Sequence, residues 1–237
     1  MIPAFSLIIP AFNEARRISG TLREALIFLE RTSPESEVIV VDDGSTDETS
    51  EIVRRVFAVA RNVGTRLIQH PVNQGKGAAV RLGLFEARRE VALFSDADFS
   101  TPIEEAPKLL EPIFAGELDV AFGSRALDRG LIGNRQAWYR EQGGRVFNLV
   151  VRLATGLPYW DTQCGFKAFR LEAFRPILQQ AQSDRFGFDV ELLYLGEQAG
   201  LRIREIPVRW NHCDGSKVSF ARDSLQMLQE IIVLRRR

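Results

Sequence analysis

The chain has 237 residues, enough for one large α/β domain or two small ones, and its 31 basic and 31 acidic side chains balance. Balanced charge gives no long-range field to attract nucleic acid, and two cysteines, Cys164 and Cys213, are too few for a disulfide framework. No stretch approaches the ~20 apolar residues of a membrane span, and no secretory signal precedes the first apolar run. We therefore expect a cytoplasmic protein that binds no nucleic acid and attaches, at most, peripherally to the cytoplasmic face of a membrane.

The first half of the chain alternates between short apolar runs and amphipathic stretches. The apolar runs predict five strands, at 5–12, 37–41, 65–70, 90–95 and 118–124. The stretches between them predict four helices, at about 14–31, 44–60, 75–88 and 104–114. Four β-α repeats followed by a fifth strand predict an α/β fold with a mainly parallel central sheet and helices on both faces.

Polar residues follow four of these strands at the point where each strand ends. They are Asn13 and Glu14 after the first strand, Asp42 and Asp43 after the second, Asp96 and Asp98 after the fourth, and Ser124 and Arg125 after the fifth. Ligands of open parallel sheets bind beyond the carboxyl ends of the strands, so these residues are expected around one crevice. Asp96 and Asp98 would share a face if the strand continued that far, and two adjacent carboxylates repel unless a cation lies near them. The crevice is therefore predicted to bind a divalent cation or a nucleotide.

Residues 125–160 contain six arginines interleaved with aromatic and aliphatic residues, against two acidic residues. This composition is typical of a membrane-surface or lipid-headgroup element, and equally of an arginine-rich helix that packs its other face on the core. Later segments predict a strand at 162–169, a helix at 185–200, a strand at 203–210 and an amphipathic helix from about residue 221. The final arginines, 235–237, are either basic residues at a helix C-terminus or a contact with an anionic membrane surface.

Six motifs, taken in order, resemble the family 2 glycosyltransferases with the GT-A fold. They are PAFNE (10–14), VVDDGSTD (40–47), NQGKGAAVRLGL (73–84), DAD (96–98), GSR (123–125) and TQCGFKAF (162–169). Within that family, DTQCGFK, RFGFDVELLYL and VRWNHCDGSK are similar to the dolichyl-phosphate β-glucosyltransferase branch. The resemblance implies a single GT-A, Rossmann-like domain over 1–237, with a nucleotide-sugar-binding half at about 1–124 and an acceptor-binding half at about 125–237.

The resemblance also implies roles for particular side chains. The nucleotide sugar is expected to contact Pro10, Ala11, Glu14, Asp42, Asp43, Asn73, Lys76, Gly77, Asp96 and Gln163. A Mg²⁺ or Mn²⁺ ion is expected on Asp98, with Asp96 as its companion. The positions that match the family's acceptor-phosphate cations are Arg125, Arg140 and Lys217. Asp189 lies where other members carry a general base and is expected here to orient or bind the sugar, with general base as the lesser option. Trp210 is expected either to line the sugar or lipid pocket or to belong to the core, and the core is favoured.

The acceptor decides how much catalytic machinery the reaction needs. A lipid phosphate is ionised at neutral pH and attacks the anomeric carbon without a base, so cations that hold it in line are sufficient. The prediction is an inverting, metal-dependent transfer of glucose from UDP-glucose to dolichyl or polyprenyl phosphate at a membrane surface. The alternatives are transfer of mannose from GDP-mannose, a family 2 transferase with a hydroxyl acceptor, and a nucleotide-sugar-binding regulator without turnover. Ser100 stands where mannosyl relatives have glutamine as a further metal ligand, which favours the glucosyl branch and leaves the set of metal ligands open. The arginines of 125–160, and Phe188 in place of the first residue of the acidic pair of other members, count against a hydroxyl acceptor.

Overall fold

The computed structural model describes residues 1–134, 138–213, 227, 230 and 234. Its strands are β1 (Phe5–Ala11), β2 (Glu37–Asp42), β3 (Gly64–Gln69), β4 (Val91–Ser95), β5 (Val120–Ser124), β6 (Phe166–Arg170) and β7 (Ile203–Pro207). Its helices are α1 (Ile18–Thr32), α2 (Thr49–Phe57), α3 (Lys76–Glu86), α4 (Ala106–Phe114), α5 (Trp138–Thr155), α6 (Leu171–Gln180) and α7 (Phe188–Gln198). The five strands and four helices predicted for the first half are all present.

The strands form one seven-stranded sheet in the order β3-β2-β1-β4-β6-β5-β7. Strand β6 lies between β4 and β5 and runs antiparallel to both, while the other neighbouring pairs are parallel. The prediction of a mainly parallel sheet is confirmed. The insertion of β6 was not predicted, because the alternation of apolar runs carries no information about strand order.

Helices cover both faces of the sheet and bury two apolar clusters. Helices α1, α2 and α4 pack on one face, and α3, α5, α6 and α7 pack on the other. Strand β1 contributes side chains to both clusters, since Leu7 and Ile9 belong to the first and Ile8 to the second. This two-sided burial explains why the central strands are apolar at nearly every position.

Two helices begin later than the sequence predicts, because the residues before them make contacts with each other. Ser45 Oγ accepts from the backbone N–H of Asn13, and Asn13 Oδ1 accepts from the N–H of Thr46, at 2.8 Å in each case. These contacts join the segment after β1 to the segment after β2. Helix α1 therefore begins at Ile18 and α2 at Thr49.

The second half departs further from the prediction. Helix α6 was not predicted, and its buried residues Leu171, Phe174, Ile177 and Leu178 follow helical spacing around an internal Pro176. The last predicted strand ends at Pro207, not at residue 210. The predicted helix from about residue 221 falls mainly outside the described residues, as do the arginines at 235–237. Within the part of the chain that the structure describes, no helix is both long and apolar enough to cross a bilayer.

Candidate active site

A cavity of about 350 Å³, here called the strand-end cavity, opens beyond the carboxyl ends of β1, β2 and β4. Eight of the residues predicted to bind the nucleotide sugar or the metal line it: Pro10, Ala11, Glu14, Asp43, Asn73, Lys76, Asp96 and Asp98. They come from four separate segments, at or after the ends of β1, β2, β3 and β4, and the parallel strands bring them together as the sequence predicts. Sequence analysis missed further lining residues, among them the large side chains of Phe12, Arg17, Arg185 and Phe186.

Asp43 holds the segment that leads into α3. One carboxylate oxygen lies 2.8 Å from His70 Nδ1 and accepts the backbone N–H of Gln74 at 2.9 Å. The other accepts Asn73 Nδ2 and the N–H of Gly75, both at 2.8 Å. These contacts come from the chain itself, so Asp43 shapes the cavity wall. Its contact with a nucleobase stays a prediction.

Three residues predicted to contact the nucleotide sugar line neither this cavity nor the second one described below. Asp42 is 1% exposed, accepts the N–H of Ser45 at 2.9 Å and also binds the Ser50 hydroxyl. Gly77 is a packing residue, since a Cβ there would lie 2.4 Å from the carbonyl oxygen of Ser183. Gln163 places Nε2 2.7 Å from Met227 Sδ. These contacts are with protein groups, and the contact of the three residues with a nucleotide sugar stays a prediction.

Asp96 and Asp98 meet at the cavity by a different geometry from the one predicted. Strand β4 ends at Ser95, so the two carboxylates lie in the following turn and not on a strand face. Asp98 Oδ1 accepts the N–H of Ser100 at 2.9 Å, and Asp98 Oδ2 lies 3.8 Å from an Arg17 guanidinium nitrogen. The turn still directs both carboxylates into the strand-end cavity.

Lys76 Nζ lies 2.6 Å from Asp96 Oδ1, within cation-π distance of the rings of Phe94 and Phe188. Burial raises the pKa of Asp96, Lys76 opposes the rise, and Asp98 adds to it. Burial alone would lower the pKa of Lys76, but Asp96 and then Asp189 raise it above its ordinary value. Lys76 is therefore a charged residue of the cavity and not a solvated surface lysine.

The donor set fits a hard divalent cation. Across residues 1–134, 138–213, 227, 230 and 234, no three His, Cys, Asp or Glu side chains are grouped as metal ligands. Asp96 and Asp98 can therefore supply two carboxylates at most, and phosphate oxygens and water would complete the coordination. Proteins commonly bind Mg²⁺ in this way, through one or two carboxylates and the phosphates of a substrate.

A second cavity of about 460 Å³, here called the arginine cavity, is lined by residues of the second half of the chain. Its side chains include Arg125, Arg129, Arg145, Arg152, Trp160 and Trp210. Trp210 is half-buried, lines this cavity and lies 5.6 Å from the Arg125 guanidinium, so of its two predicted positions the structure supports the pocket and not the core. Arg140 lies in α5, but its side chain is not described, and Lys217 lies outside the described residues.

Arg125 is held by a buried carboxylate that sequence analysis missed. Its Nε and one terminal nitrogen each donate to Asp161 at 2.7 Å, which is the bidentate geometry of strong arginine–carboxylate pairs. Burial would raise the pKa of Asp161, but Arg125 outweighs it and lowers that pKa. Asp161 is itself fixed, because its backbone N–H donates to Glu205 at 2.8 Å. The guanidinium of Arg125 therefore has a defined position at the cavity wall.

Asp189 is buried and paired inside the protein. It stands in the first turn of α7, and its Oδ1 lies 2.6 Å from Nζ of Lys167. Lys167 is fully buried and also donates to the carbonyl of Cys164 at 2.5 Å. Asp189 lines neither cavity, so its predicted contact with a sugar has no geometric support here. The signal for Lys167 was a lysine within the apolar run GFKAF, and sequence analysis did not use it.

The sequence matches a known protein family over most of its length. Residues 6–178 match the family model described as glycosyl transferase family 2. The chain belongs to this family. It is therefore a glycosyltransferase. The dolichyl-phosphate beta-glucosyltransferase of Homo sapiens is 35% identical over 98% of this chain and 75% of its own length. That of Drosophila melanogaster is 37% identical over 97% of this chain and 73% of its own length.

Solved structures confirm the predicted GT-A fold. Glucosyl-3-phosphoglycerate synthase of Mycobacterium tuberculosis superposes with a TM-score of 0.71 at 20% identity, over 98% of this chain and 80% of its own. The same protein in complex with Mn²⁺, UDP and glucosyl-3-phosphoglycerate gives a TM-score of 0.69, over 98% of this chain and 79% of its own. At this identity the similarity concerns the fold alone.

Proposed function

We propose that this glycosyltransferase transfers glucose from UDP-glucose to the phosphate of dolichol or another polyprenol, with inversion at the anomeric carbon. The donor would bind in the half at 1–124 and the acceptor in the half at 125–237. The dolichyl-phosphate beta-glucosyltransferases, which match nearly the whole chain, support this assignment. Two unpaired cysteines agree with a reaction at the cytoplasmic face of a membrane.

The observation that carries the proposal is the pairing of the two cavities around Asp96. The Asp96 carboxylate lines the strand-end cavity, and its backbone N–H donates to the carbonyl oxygen of Gly165 at 3.0 Å. Gly165 belongs to the loop before β6 whose Asp161 holds Arg125 at the arginine cavity. A donor in the strand-end cavity and an acceptor phosphate in the arginine cavity would meet near this carboxylate.

The strand-end cavity suits a nucleoside diphosphate. Asp96 and Asp98 would hold Mg²⁺ or Mn²⁺, which acts as a Lewis acid on the charge of the departing diphosphate. Arg17 and Lys76 add positive charge to the same wall, where phosphate oxygens would lie. Asp43 keeps the segment that leads to Lys76 in place through its four contacts with residues 70–75.

The arginine cavity suits an acceptor that needs no deprotonation. Asp161 provides the one carboxylate among the described residues that line this cavity, and Arg125 donates to both of its oxygens. Asp189 lies in the core against Lys167 and is not placed to take a proton from a hydroxyl acceptor. Arginine side chains bind phosphate through paired N–H donors, so they would position a lipid phosphate for direct attack.

The test is turnover with Mg²⁺ or Mn²⁺ and a short polyprenyl phosphate, with UDP-glucose and GDP-mannose in parallel. The matched control acceptor is the polyprenol without its phosphate. We expect a lipid-linked sugar from UDP-glucose and the phosphorylated acceptor alone, and release of that sugar by a β-specific glucosidase. Product from GDP-mannose would overturn the donor assignment, and equal product from the free alcohol would overturn the acceptor assignment.

A further inference from the structure

Helix α5 carries an apolar stripe on its solvent side. Val146, Leu149, Val150 and Leu153 are 62%, 51%, 38% and 76% exposed. Their spacing of i, i+3, i+4 and i+7 is the pattern by which a helix normally packs on a core. Here the pattern points away from the core.

The core-facing side of α5 is provided by other residues. Phe147 and Val151 are buried, and they join the apolar cluster that also contains Leu157 and Tyr159. Helix α5 therefore packs on the protein through these buried residues, and the residues of the outward stripe take no part in that packing. Contiguous exposed apolar residues of this kind mark an interaction surface.

The residues beside the stripe are basic and amphipathic. Arg145, Asn148 and Arg152 follow each other on the next side of α5 and line the arginine cavity, and Leu149 of the stripe lines it as well. The stripe therefore borders the mouth of that cavity. No acidic residue occurs from 142 to 160.

Trp160 extends this surface. It is 55% exposed, and the guanidinium of Arg152 lies 3.8 Å from its ring centroid. Tryptophan is enriched at membrane–water interfaces, and arginine adds attraction to anionic headgroups. A protein partner would need only the apolar stripe, whereas a bilayer surface accounts for the apolar residues, the arginines and the exposed tryptophan together.

We propose that the outward face of α5, formed by Val146, Leu149, Val150 and Leu153, docks on an anionic lipid bilayer with Trp160 at its edge. Helix α5 would lie along the interface with its apolar stripe at the acyl boundary and its arginines at headgroup level. The mouth of the arginine cavity then faces the plane that contains lipid phosphates. This purpose rests on the proposed function, but the docking itself requires no turnover.

Vesicle flotation of the full chain tests the docking. The vesicles are phosphatidylcholine alone and phosphatidylcholine with about one third phosphatidylglycerol. The test variant is Val146→Ser/Leu153→Ser, which removes the two most exposed residues of the stripe and spares Leu149 at the cavity. The matched control is Ile27→Ser/Val59→Ser, with 49% and 74% exposed side chains on the α1–α2 side of the sheet. All are exposed positions, so circular dichroism should show unchanged folding.

We expect the wild type to bind the anionic vesicles. The partition coefficient of the α5 variant should be lower by about tenfold or more, because each aliphatic side chain that enters the bilayer adds to the free energy of binding. The control should bind like the wild type. Equal binding by the two double variants would overturn the proposal, as would no binding by the wild type. A wild-type dimer in solution that the α5 substitutions dissociate, without vesicle binding, would also overturn it and assign the face to a second copy.

Turnover of a water-soluble, short-chain polyprenyl phosphate without vesicles separates this inference from the proposed function. Turnover in solution without vesicle binding means that the docking inference fails alone. Vesicle binding that depends on α5, without turnover of any lipid phosphate, means that the proposed function fails and the docking stands.

Discussion

The strand-end cavity and the arginine cavity are built in different ways. The first gathers short loops at the ends of parallel strands, where the backbone brings acidic and basic side chains to one edge. The second is assembled from the segment after β5, helix α5, the loop before β6 and the segment after β7. Its key guanidinium, on Arg125 directly after β5, is held in addition by a buried carboxylate, Asp161. The strand-end cavity follows from the parallel sheet itself, whereas the arginine cavity depends on particular pairs of side chains in this chain.

The largest expected effect comes from Asp98→Ala, which removes the carboxylate assigned to the metal. We expect turnover to fall by about 10³-fold, because the charge on the leaving diphosphate loses its counter-ion. The carboxylate makes one hydrogen bond within the described structure, to the N–H of Ser100, so thermal unfolding should change little. Steady-state kinetics with Mg²⁺ and Mn²⁺ provide the measurement.

The matched control for Asp98→Ala is Glu117→Ala. Glu117 is an exposed carboxylate near the end of α4 that lies 3.9 Å from Arg204. Its removal should leave turnover unchanged. Retention of wild-type turnover in Asp98→Ala would place the metal elsewhere, and a regulator without activity would show no turnover in any of the three proteins.

The next effect concerns the core between the two cavities. Lys167→Met leaves Asp189 buried without its cation, so we expect the free energy of unfolding to fall by about 3–5 kcal/mol. The double variant Lys167→Met/Asp189→Leu replaces the pair by apolar side chains and should recover most of that loss. Urea denaturation of the three proteins measures both changes. Equal stability of Lys167→Met and wild type would contradict a structural role for the pair.

Much of the fold and of the strand-end cavity was predictable from sequence, and the reasons are local. Asp43, Asp96 and Asp98 directly follow apolar runs, and parallel strands bring such positions together wherever the strands lie. Arg185 and Phe186 lie in the segment before α7 and open the motif RFGFDVELLYL, but that motif follows no strand end, so sequence analysis did not place them at the cavity. Asp42 and Gly77 lie beside these residues but contact protein groups, and a sequence motif does not distinguish a residue that supports the packing from one that contacts a ligand.

The arginine cavity shows more clearly what could not be predicted from the sequence. The composition of 125–160 allowed two interpretations, and the structure confirms one of them, a helix that packs on the core through Phe147 and Val151. It does not exclude the membrane interpretation, because a second face of α5 remains apolar and exposed. The pairing of Arg125 with Asp161 joins residues 36 positions apart and leaves no periodic signal.

A smaller effect should separate the two cavities kinetically. Lys76→Gln removes a cation from the strand-end cavity, and we expect the KM for UDP-glucose to rise about tenfold, equivalent to about 1.4 kcal/mol, with the KM for the lipid phosphate unchanged. Arg152→Gln removes a cation from the arginine cavity, and the KM for the lipid phosphate should rise by a few-fold, with that for UDP-glucose unchanged. Initial rates with either substrate varied measure these constants.

Each of these two variants is the control for the other. If both variants raised both constants to the same extent, the two cavities would not be separate binding sites. Reversed effects would exchange the donor and acceptor assignments.

The smallest change is a chemical label that compares the two cysteines. Cys164 is buried beside β6, and burial, followed by the nearby Asp161, raises the pKa of its thiol to about 12. At pH 8 only about one molecule in 10⁴ would carry its thiolate, which is the reactive form. Cys213 is half-buried, and its Sγ lies 3.5 Å from the backbone oxygen of Asp98. We expect iodoacetamide to label Cys213 in the native protein and Cys164 only after unfolding, as measured by peptide mass spectrometry.

Addition of UDP and Mn²⁺ should slow the labelling of Cys213, because ligands on Asp98 order the turn that this thiol contacts. Labelling of Cys164 at the rate of Cys213 in the native protein would mean that the core beside Lys167 is open to solvent, and the contrast between a buried pair and an accessible cavity would be lost.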